Sequence, residues 1–498
     1  MELSDLAQTP GETSAPRHGA LSGVIDIGKT RCKLLVLSDA GEVVYQRQMD
    51  SKSHWVPEGY LALDVDAIEA WLRQSLADLG PLRRRLRHLI TTTHGATFAA
   101  LDGDKRVLPV ADYEFEGFDL DRSHDLAGVG DEGFPSTMSP LLARGLNLGT
   151  QLDWIERQAP DALARATCLL PYPQYWGWWL TDVRASEVSS LGCHTLLWRP
   201  TQNAFSALAR TRGWDRKFAP LRRAWDVLGT VKPALAQSLG LPSDVLVHCG
   251  VHDSNACLAR YLRSWPRLTL VSTGTWVVVM APGIPARNLD PRRDMLGNVS
   301  VRGETVPTAR FMGGREFEYL CAGASPLDAD LGTVSGLLDA EAYALPCFEA
   351  QGGPFAGAEG SILLRGEVVS REKYVETFTP RERATLASLY CADMIGWIYK
   401  ELDAIGPVVL EGPFTQNPVI VEALGAILPP GSLHVSVDEV EGTARGGWAL
   451  TRWTEPRISD PRVMEVAASA RAGKLRARHA RWCQRAAACG TTVSPDLA

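Results

Sequence analysis

The segment Leu21-Ser-Gly-Val-Ile-Asp-Ile-Gly-Lys-Thr30 brings a carboxylate, a glycine, an ammonium and a hydroxyl together at the end of an apolar run. Gly23 to Thr30 also satisfies the GxxxxGK[ST] spacing of a phosphate loop. That loop needs a strand before its first glycine and a helix after its threonine, whose N-terminus meets phosphate. Here a polar leader precedes Gly23, the intervening residues are Val, Ile, Asp and Ile, and CKLLVLS after Arg31 is strand-like. The match is accidental on this reading, and Asp26-x-Gly28-Lys29-Thr30 is a tight turn between antiparallel strands. Gly28 lets backbone amides approach an anion, Thr30 adds a hydroxyl, and Lys29 or Lys33 supplies positive charge. Asp26, at the strand end, suits a hydrated Mg2+ held against phosphates.

A second glycine-threonine turn, Ser272-Thr273-Gly274-Thr275, heads the other half of the chain. Two such turns can grip a polyphosphate from both sides of a cleft. Gly250-Val-His252-Asp253-Ser-Asn-Ala256 places a carboxylate at a strand-to-helix junction, where it can accept a proton from a hydroxyl attacking phosphorus or simply cap the helix. Zinc is not expected at His248, Cys249, His252 and Asp253, because strand alternation sends His248 and Cys249 to opposite faces. His94-Gly95 ends another strand, where a polar group can meet a sugar hydroxyl. Trp176, Trp178 and Trp179 can stack on a sugar ring, although most tryptophans pack in cores.

The hydrophobic pattern predicts the elements that hold these residues. Residues 1–20 read as a disordered leader, followed by β-rich runs broken at Gly28 and at the Asp39-Ala-Gly41 turn. An amphipathic helix is expected over 65–86, with Ile68, Trp71, Leu72, Leu76 and Leu79 near helical spacing. HLITTT is a strand delivering His94, residues 110–240 are irregular, and VLVHCG runs into Asp253 and the helix SNACLARYL. After residue 268 the opening grammar returns as strand, Gly-Thr turn and strand, which reads as a duplication. A long helix over 380–405 precedes the strand VVLEG, the turn-rich PFTQNP, the helix VIVEALGAIL, the strand LHVSV and a glycine-rich helix start at 441–447. Residues 466–490 carry six Lys or Arg and no acid, and read as a basic surface helix.

Composition bounds the reading. A chain of 498 residues is too long for one core, so two domains are expected. With 51 Lys and Arg against 58 Asp and Glu, the net charge of −7 argues against binding nucleic acid by charge. The longest apolar runs are strand-sized, so no membrane span is expected, and the leader lacks the apolar core of a signal peptide. Ten cysteines without a CxxC pair suit reduced thiols and a cytoplasmic location.

In their order along residues 24–453, these segments resemble the FGGY carbohydrate kinases of the actin, hexokinase and Hsp70 superfamily. His94-Gly-Ala-Thr97 is similar to the sugar-contacting segment of xylulose kinases, Gly250-Val-His-Asp253 to the family's Gly-x-x-Asp motif, and Gly274-Thr-Trp276 to the second phosphate turn of rhamnulose and fuculose kinases. The resemblance implies an α/β fold with two ribonuclease-H-like (actin-like ATPase) domains around a central cleft. The expected limits are a leader at 1–20, a sugar-binding domain at 21–262, a nucleotide-binding domain at 263–455 and a basic helical tail at 456–498. It further implies ATP-dependent transfer to a terminal hydroxyl of a ketopentose or 6-deoxyketohexose. Asp253 would be the base and Asp26 the Mg2+ residue. Gly28, Lys29, Thr30, Lys33, Thr273, Gly274 and Thr275 would face the phosphates, with Gly412 and Asn417 beside the adenosine. His94, Gly95, Asp253 and Trp276 would face the sugar. The expected partners are a small carbohydrate and ATP, with neither nucleic acid nor membrane, and with a homodimer left open. The alternative is a catalytically weak, kinase-like sensor of sugar or nucleotide on the same fold. The chain departs from the family at Lys29, usually Thr, Ala or Ser. It departs also at Glu411-Gly412-Pro413 (usually three glycines), at Ala444-Arg445-Gly446-Gly447 (usually Ala-Leu-Gly-Ala), and at Asp112-Tyr-Glu-Phe, where Trp-x-Asp-Arg is usual.

Overall fold

β1 (Leu21–Ile27) is buried along its whole length, so it must be covered on both faces. It runs antiparallel to β2 (Arg31–Ser38), which pairs antiparallel with β3 (Val43–Asp50). β4 (Leu86–Thr93) lies parallel to β1, and β5 (Val227–Thr230), β6 (Leu246–His248) and β7 (Val251–His252) complete the sheet. The strand order is β5-β6-β4-β1-β2-β3, with β7 added along β4. These coordinates belong to a computed structural model describing residues 19–120, 126, 133–349, 352–438, 440–456 and 461–489. The expected disordered leader therefore lies, except for Gly19 and Ala20, outside the described residues.

One face of this sheet is covered by α1 (Val65–Ala77), which starts where the Asp64 side chain accepts from Ala67 N and buries Ile68, Leu72 and Leu76. The helix stops short of the expected residue 86: Gly80 adopts φ +55°, Pro81 follows, and 80–85 form a 3-10 turn. α2 (Tyr172–Thr181) adds Trp176, Trp178 and Trp179 to the same core, so these tryptophans are packing residues. α3 (Asp253–Leu262) leaves the sheet at β7 and crosses toward the second lobe.

The second sheet repeats the plan. β8 (Thr269–Thr273) and β9 (Val277–Met280) form the antiparallel hairpin, flanked by β10 (Met295–Val299) and β11 (Thr305–Phe311). β12 (Val408–Glu411) lies parallel to β8, then β13 (Leu433–Ser436) and β14 (Val463–Glu465), giving β10-β11-β9-β8-β12-β13-β14. Around it pack α4 (Gly313–Cys321), the long α5 (Pro380–Glu401) and α6 (Pro418–Ile427). α5 opens with a Thr379–Glu382 capping box and Pro380, and ends before residue 405, where Asp403 turns to φ +51°.

α7 (Gly442–Leu450) is the second crossing element. It meets α3 so closely that a Cβ on Gly446 would lie 1.7 Å from the Ala256 carbonyl oxygen, while Gly447 rests on Val24, Ile90 and Thr92 of the first sheet. A helix encoded in the second half thus covers the other face of β1. α8 (Ala472–Cys489) is a surface helix with Lys474, Arg476 and Arg481 exposed, and its inner face is docked on the second lobe. β14 joins the second sheet, Trp482 is fully buried and donates to Ala344 O at 2.8 Å, and the buried Arg478 pairs with Asp393. Among the described residues no helix is long and apolar enough to cross a membrane.

Candidate active site

The end of β1 places Asp26 beside β4, where its Oδ1 accepts from Thr92 Oγ1 at 2.8 Å. Burial pushes the Asp26 carboxyl up to about 7, and the negative charges of Asp253 and Glu441 add to the effect against the opposing Thr92 hydrogen bond and Lys33 ammonium. Two carboxylates from different elements therefore sense one another at the mouth of the first sheet. Their donor atoms are all oxygen, as Mg2+ prefers, and a cation between them would relieve the cost of ionising Asp26. No cluster of three or more His, Cys, Asp or Glu side chains forms a metal cage among the described residues. His248 instead meets His88 (Nε2 to Nδ1, 3.1 Å) and donates from Nδ1 to Trp225 O, away from His252.

Asp253 is the first residue of α3. Its Oδ1 accepts from Ser254 N at 2.6 Å and Ser254 Oγ at 3.3 Å, with His252 Nε2 at 3.1 Å. His252 Nδ1 accepts from Asn255 Nδ2 at 3.3 Å, which leaves the proton on Nε2, directed at Asp253. Burial keeps His252 neutral by lowering its pKa, against the Asp253 charge. All three donors use Oδ1, so Oδ2 is without a partner among the described residues. The side chain is 32% exposed. His252 is a functional candidate that the sequence showed only as a discarded zinc ligand.

His94, at the end of β4, is buried, which lowers its pKa. Its Nδ1 lies 3.0 Å from the Gly95 carbonyl, which can only accept, so the proton sits on Nδ1 and Nε2 is left as an acceptor. Gly95 has no room for a side chain, since a Cβ there would lie 2.9 Å from His252 Nε2. Tyr113 packs edge-on against His94 at 5.4 Å, and Lys29 lies over the Tyr113 ring at 5.9 Å. The Lys29 ammonium, expected at the phosphates, is committed to Asp112 at 2.9 Å and Glu114 at 3.2 Å. Against the effect of burial, these carboxylates hold its pKa above the ordinary lysine value. Lys33 points elsewhere and is chelated by both oxygens of Glu441 at the start of α7.

The hairpin turns differ in detail. Gly28 closes the first through its amide to Arg31 O at 3.0 Å, with Thr30 exposed beside it. In the second, the Gly274–Thr275 backbone is braced by α4, whose Gly314 amide donates to Thr275 O at 3.1 Å. The Thr273 hydroxyl is committed to the fold, donating to Glu411 O at 2.6 Å and accepting from Phe414 N at 3.2 Å. Gly274 and Thr275 open onto a cavity of ≈ 620 Å³ whose walls include Phe317, Pro326 and Phe414. Asn417 lines this cavity while its side chain caps α6, accepting from Val419 N and Ile420 N. Gly412, at φ +86°, lines an adjoining polar cavity of ≈ 470 Å³ with Thr273, Glu411 and Glu441. A side chain at residue 412 would strike Thr273 O at 2.1 Å. Arg445 is forked on Asp438 (2.6 and 2.9 Å), a wall residue of the polar cavity, and donates to Gly41 O at 2.6 Å in the first lobe. Trp276 follows the second turn and carries the Arg310 guanidinium on its face at 4.6 Å.

Comparison with known proteins follows this geometry. Residues 21–259 match the family described as "FGGY family of carbohydrate kinases, N-terminal domain", and residues 266–459 match "Carbohydrate kinase FGGY, C-terminal domain". A xylulose kinase of Staphylococcus epidermidis is 24% identical over 259 residues, 47% of each chain, so the match spans about half the length of that curated relative. A solved carbohydrate kinase from Novosphingobium aromaticivorans superposes with a TM-score of 0.82 at 31% identity, over 94% of this chain and 99% of that one. The ligand-bound xylulose kinase of Lactobacillus acidophilus shares the fold, with a TM-score of 0.75 at 12% identity over 95% and 99% of the two chains. With both lobes matched in order, the chain belongs to the FGGY family of carbohydrate kinases.

Proposed function

We propose that this chain is an ATP-dependent sugar kinase that phosphorylates a terminal hydroxyl of a small ketose, with Asp253 as the general base. The observation that carries the reading is the Asp253 carboxylate: Oδ1 is fixed by three donors while Oδ2 has no partner among the described residues, and its charge acts on the Asp26 carboxyl. As the acceptor oxygen bonds to the γ-phosphorus, the bond to the β,γ-bridging oxygen breaks, ADP leaves with that electron pair, and the hydroxyl proton passes to Asp253 Oδ2. His252 keeps the carboxylate aimed. His94 Nε2 accepts from a second sugar hydroxyl. The 620 Å³ cavity takes the adenosine, and the Gly28 and Gly274 turns take the phosphates. Asp26 would hold Mg2+, which would supply positive charge to the phosphate oxygens. The xylulose kinases among its relatives, with the His94-Gly95 segment, support a ketopentose as acceptor.

The test is a coupled ADP-release assay with xylulose, ribulose, fuculose, rhamnulose, glycerol and the matching aldoses. The expected result is turnover of a ketose by a wide margin over its aldose isomer, with ketopentose and 6-deoxyketohexose closer together. Phosphorylation of an aldose or glycerol with inert ketoses overturns the acceptor class. Sugar and nucleotide binding with no ADP release from any acceptor replaces the kinase by a sensor.

A further inference from the structure

β11 alternates its side chains: Ala309 and Phe311 enter the core of the second lobe, so Arg310 between them faces the first. Opposite it on β9 stands Val278, which packs among residues joining the two lobes. The guanidinium is fixed on several sides. Its face lies on Trp276 at 4.6 Å, and Nε donates to Asp294 Oδ1 at 3.0 Å. The other Asp294 oxygen accepts from Gly353 N at 3.0 Å, and a Cβ on the neighbouring Gly352 would strike Trp276 at 2.7 Å. Yet the two Nη groups have no hydrogen-bond partner among the described residues, although the side chain is only 12% exposed. A guanidinium held this firmly, with its outer edge unused, is built to receive something.

Its surroundings say what. Val299 of β10, the strand paired with β11, lies against Gly192 of the first lobe, where an added Cβ would meet its Cγ2 at 2.3 Å, so β11 stands beside Cys193 and His194, in line with the lowering effect of the Arg310 charge on the pKa values of Tyr113, Cys193 and His194. Tyr113 packs on His94, and Cys193 Sγ lies 3.5 Å from His252 Nε2, so these residues line the acceptor side of Asp253. The largest charge effects on Asp26, at the phosphate end, come from Asp253, Lys33 and Glu441. We propose that Arg310 is a specificity-determining residue whose two Nη groups, unpaired among the described residues, donate to oxygen atoms of the acceptor sugar, at the end remote from the hydroxyl that is phosphorylated. Asp294 already balances the Arg310 charge, and Asp112 and Glu114 more than balance Lys29. The acceptor that fits is therefore a neutral polyhydroxylated sugar and not a sugar acid. Since His94 and Asp253 come from the first lobe and Arg310 from the second, the acceptor site is complete only with both.

This inference rests on the kinase reading, and calorimetric sugar binding, which needs no turnover, separates the failure of one from the failure of the other. The experiment compares wild type, Arg310→Met and Arg310→Lys, using the best ketose, its deoxy analogues each lacking one hydroxyl, and the corresponding sugar acid. Arg310→Met is expected to weaken sugar binding and raise the sugar KM by roughly 10- to 100-fold, with the ATP KM within about twofold. One deoxy analogue, poor with wild type, should lose its handicap in the variant, because the hydroxyl it lacks no longer has a donor to meet. Arg310→Lys keeps the charge without the fork, should fold if Met does not, and should lose the same discrimination. Unchanged sugar binding and deoxy discrimination in both variants overturn the proposal. So does an effect confined to the ATP KM, or a wild type that prefers the sugar acid.

Discussion

Replacing Asp253 by alanine removes a carboxylate whose Oδ2 has no partner among the described residues. kcat should fall by about 10²- to 10⁴-fold while sugar binding, measured by calorimetry, survives; near-normal turnover would return Asp253 to the role of a helix cap. Lys29→Met should act on the acceptor and not on the nucleotide, because its ammonium is tied to Asp112 and Glu114 beside the Tyr113–His94 pair. The expected result is a raised sugar KM with an unaltered ATP KM, and a raised ATP KM alone would place the lysine at the phosphates. At this scale the sequence is informative where function depends on a residue's position along its own strand. Asp26 and Asp253 were legible because each follows an apolar run and meets a turn or a helix start. Arg310 was not, since its partners Trp276 and Asp294 are neighbours only once β9, β10 and β11 are paired, and the place of Lys29 in a glycine turn gave no sign of its pairing with Asp112 and Glu114.

Elements raise a different kind of question, because their ends decide what they hold in place. The short helix Val188–Leu191 is capped by Glu187, whose Oε2 accepts from the Ser189 and Ser190 amides while Oε1 is buried without a partner. Burial pushes this carboxyl from 4.5 up to about 7, more than its hydrogen bonds pull it down. Between those values the folded chain binds a proton that the unfolded chain has released, so stability falls as pH rises through the window and levels off above it. Glu187→Gln should therefore stabilise the protein by about 1–3 kcal/mol at pH 8 and lose that advantage near pH 4, read as a difference in thermal midpoint. A constant difference at both pH values would show that ionisation is not the cause. The hairpins at Gly28 and Gly274 were readable because alternation and a glycine turn are local signals. The docking of one face of α8 was not readable from charge, since Arg478 and His479 are both turned inward onto Asp393, a residue of α5. A run of cations looks solvated until the carboxylate that neutralises it is known.

At the scale of the whole molecule the two lobes meet in the close approach of α3 and α7. Gly446→Ala places a methyl against the Ala256 carbonyl and should destabilise the chain by about 1–3 kcal/mol or more, with a lowered thermal midpoint and weaker coupling between sugar and nucleotide binding. An unchanged midpoint would mean that the helices separate without penalty. The two-lobed plan was legible through its repeated strand-turn-strand grammar, but the crossing was not, because nothing in a helical pattern announces which sheet it will cover. That crossing bears on how the protein is made. Val24, Leu37 and Ile90 share a cluster with Ala444, Trp448 and Leu450, so an apolar face of the first sheet is without part of its cover until the end of α7 has left the ribosome. The N-terminal half cannot finish folding when its own sequence is complete; during synthesis it must wait, partly bare and open to chaperones or to aggregation, for a helix encoded after most of the second lobe.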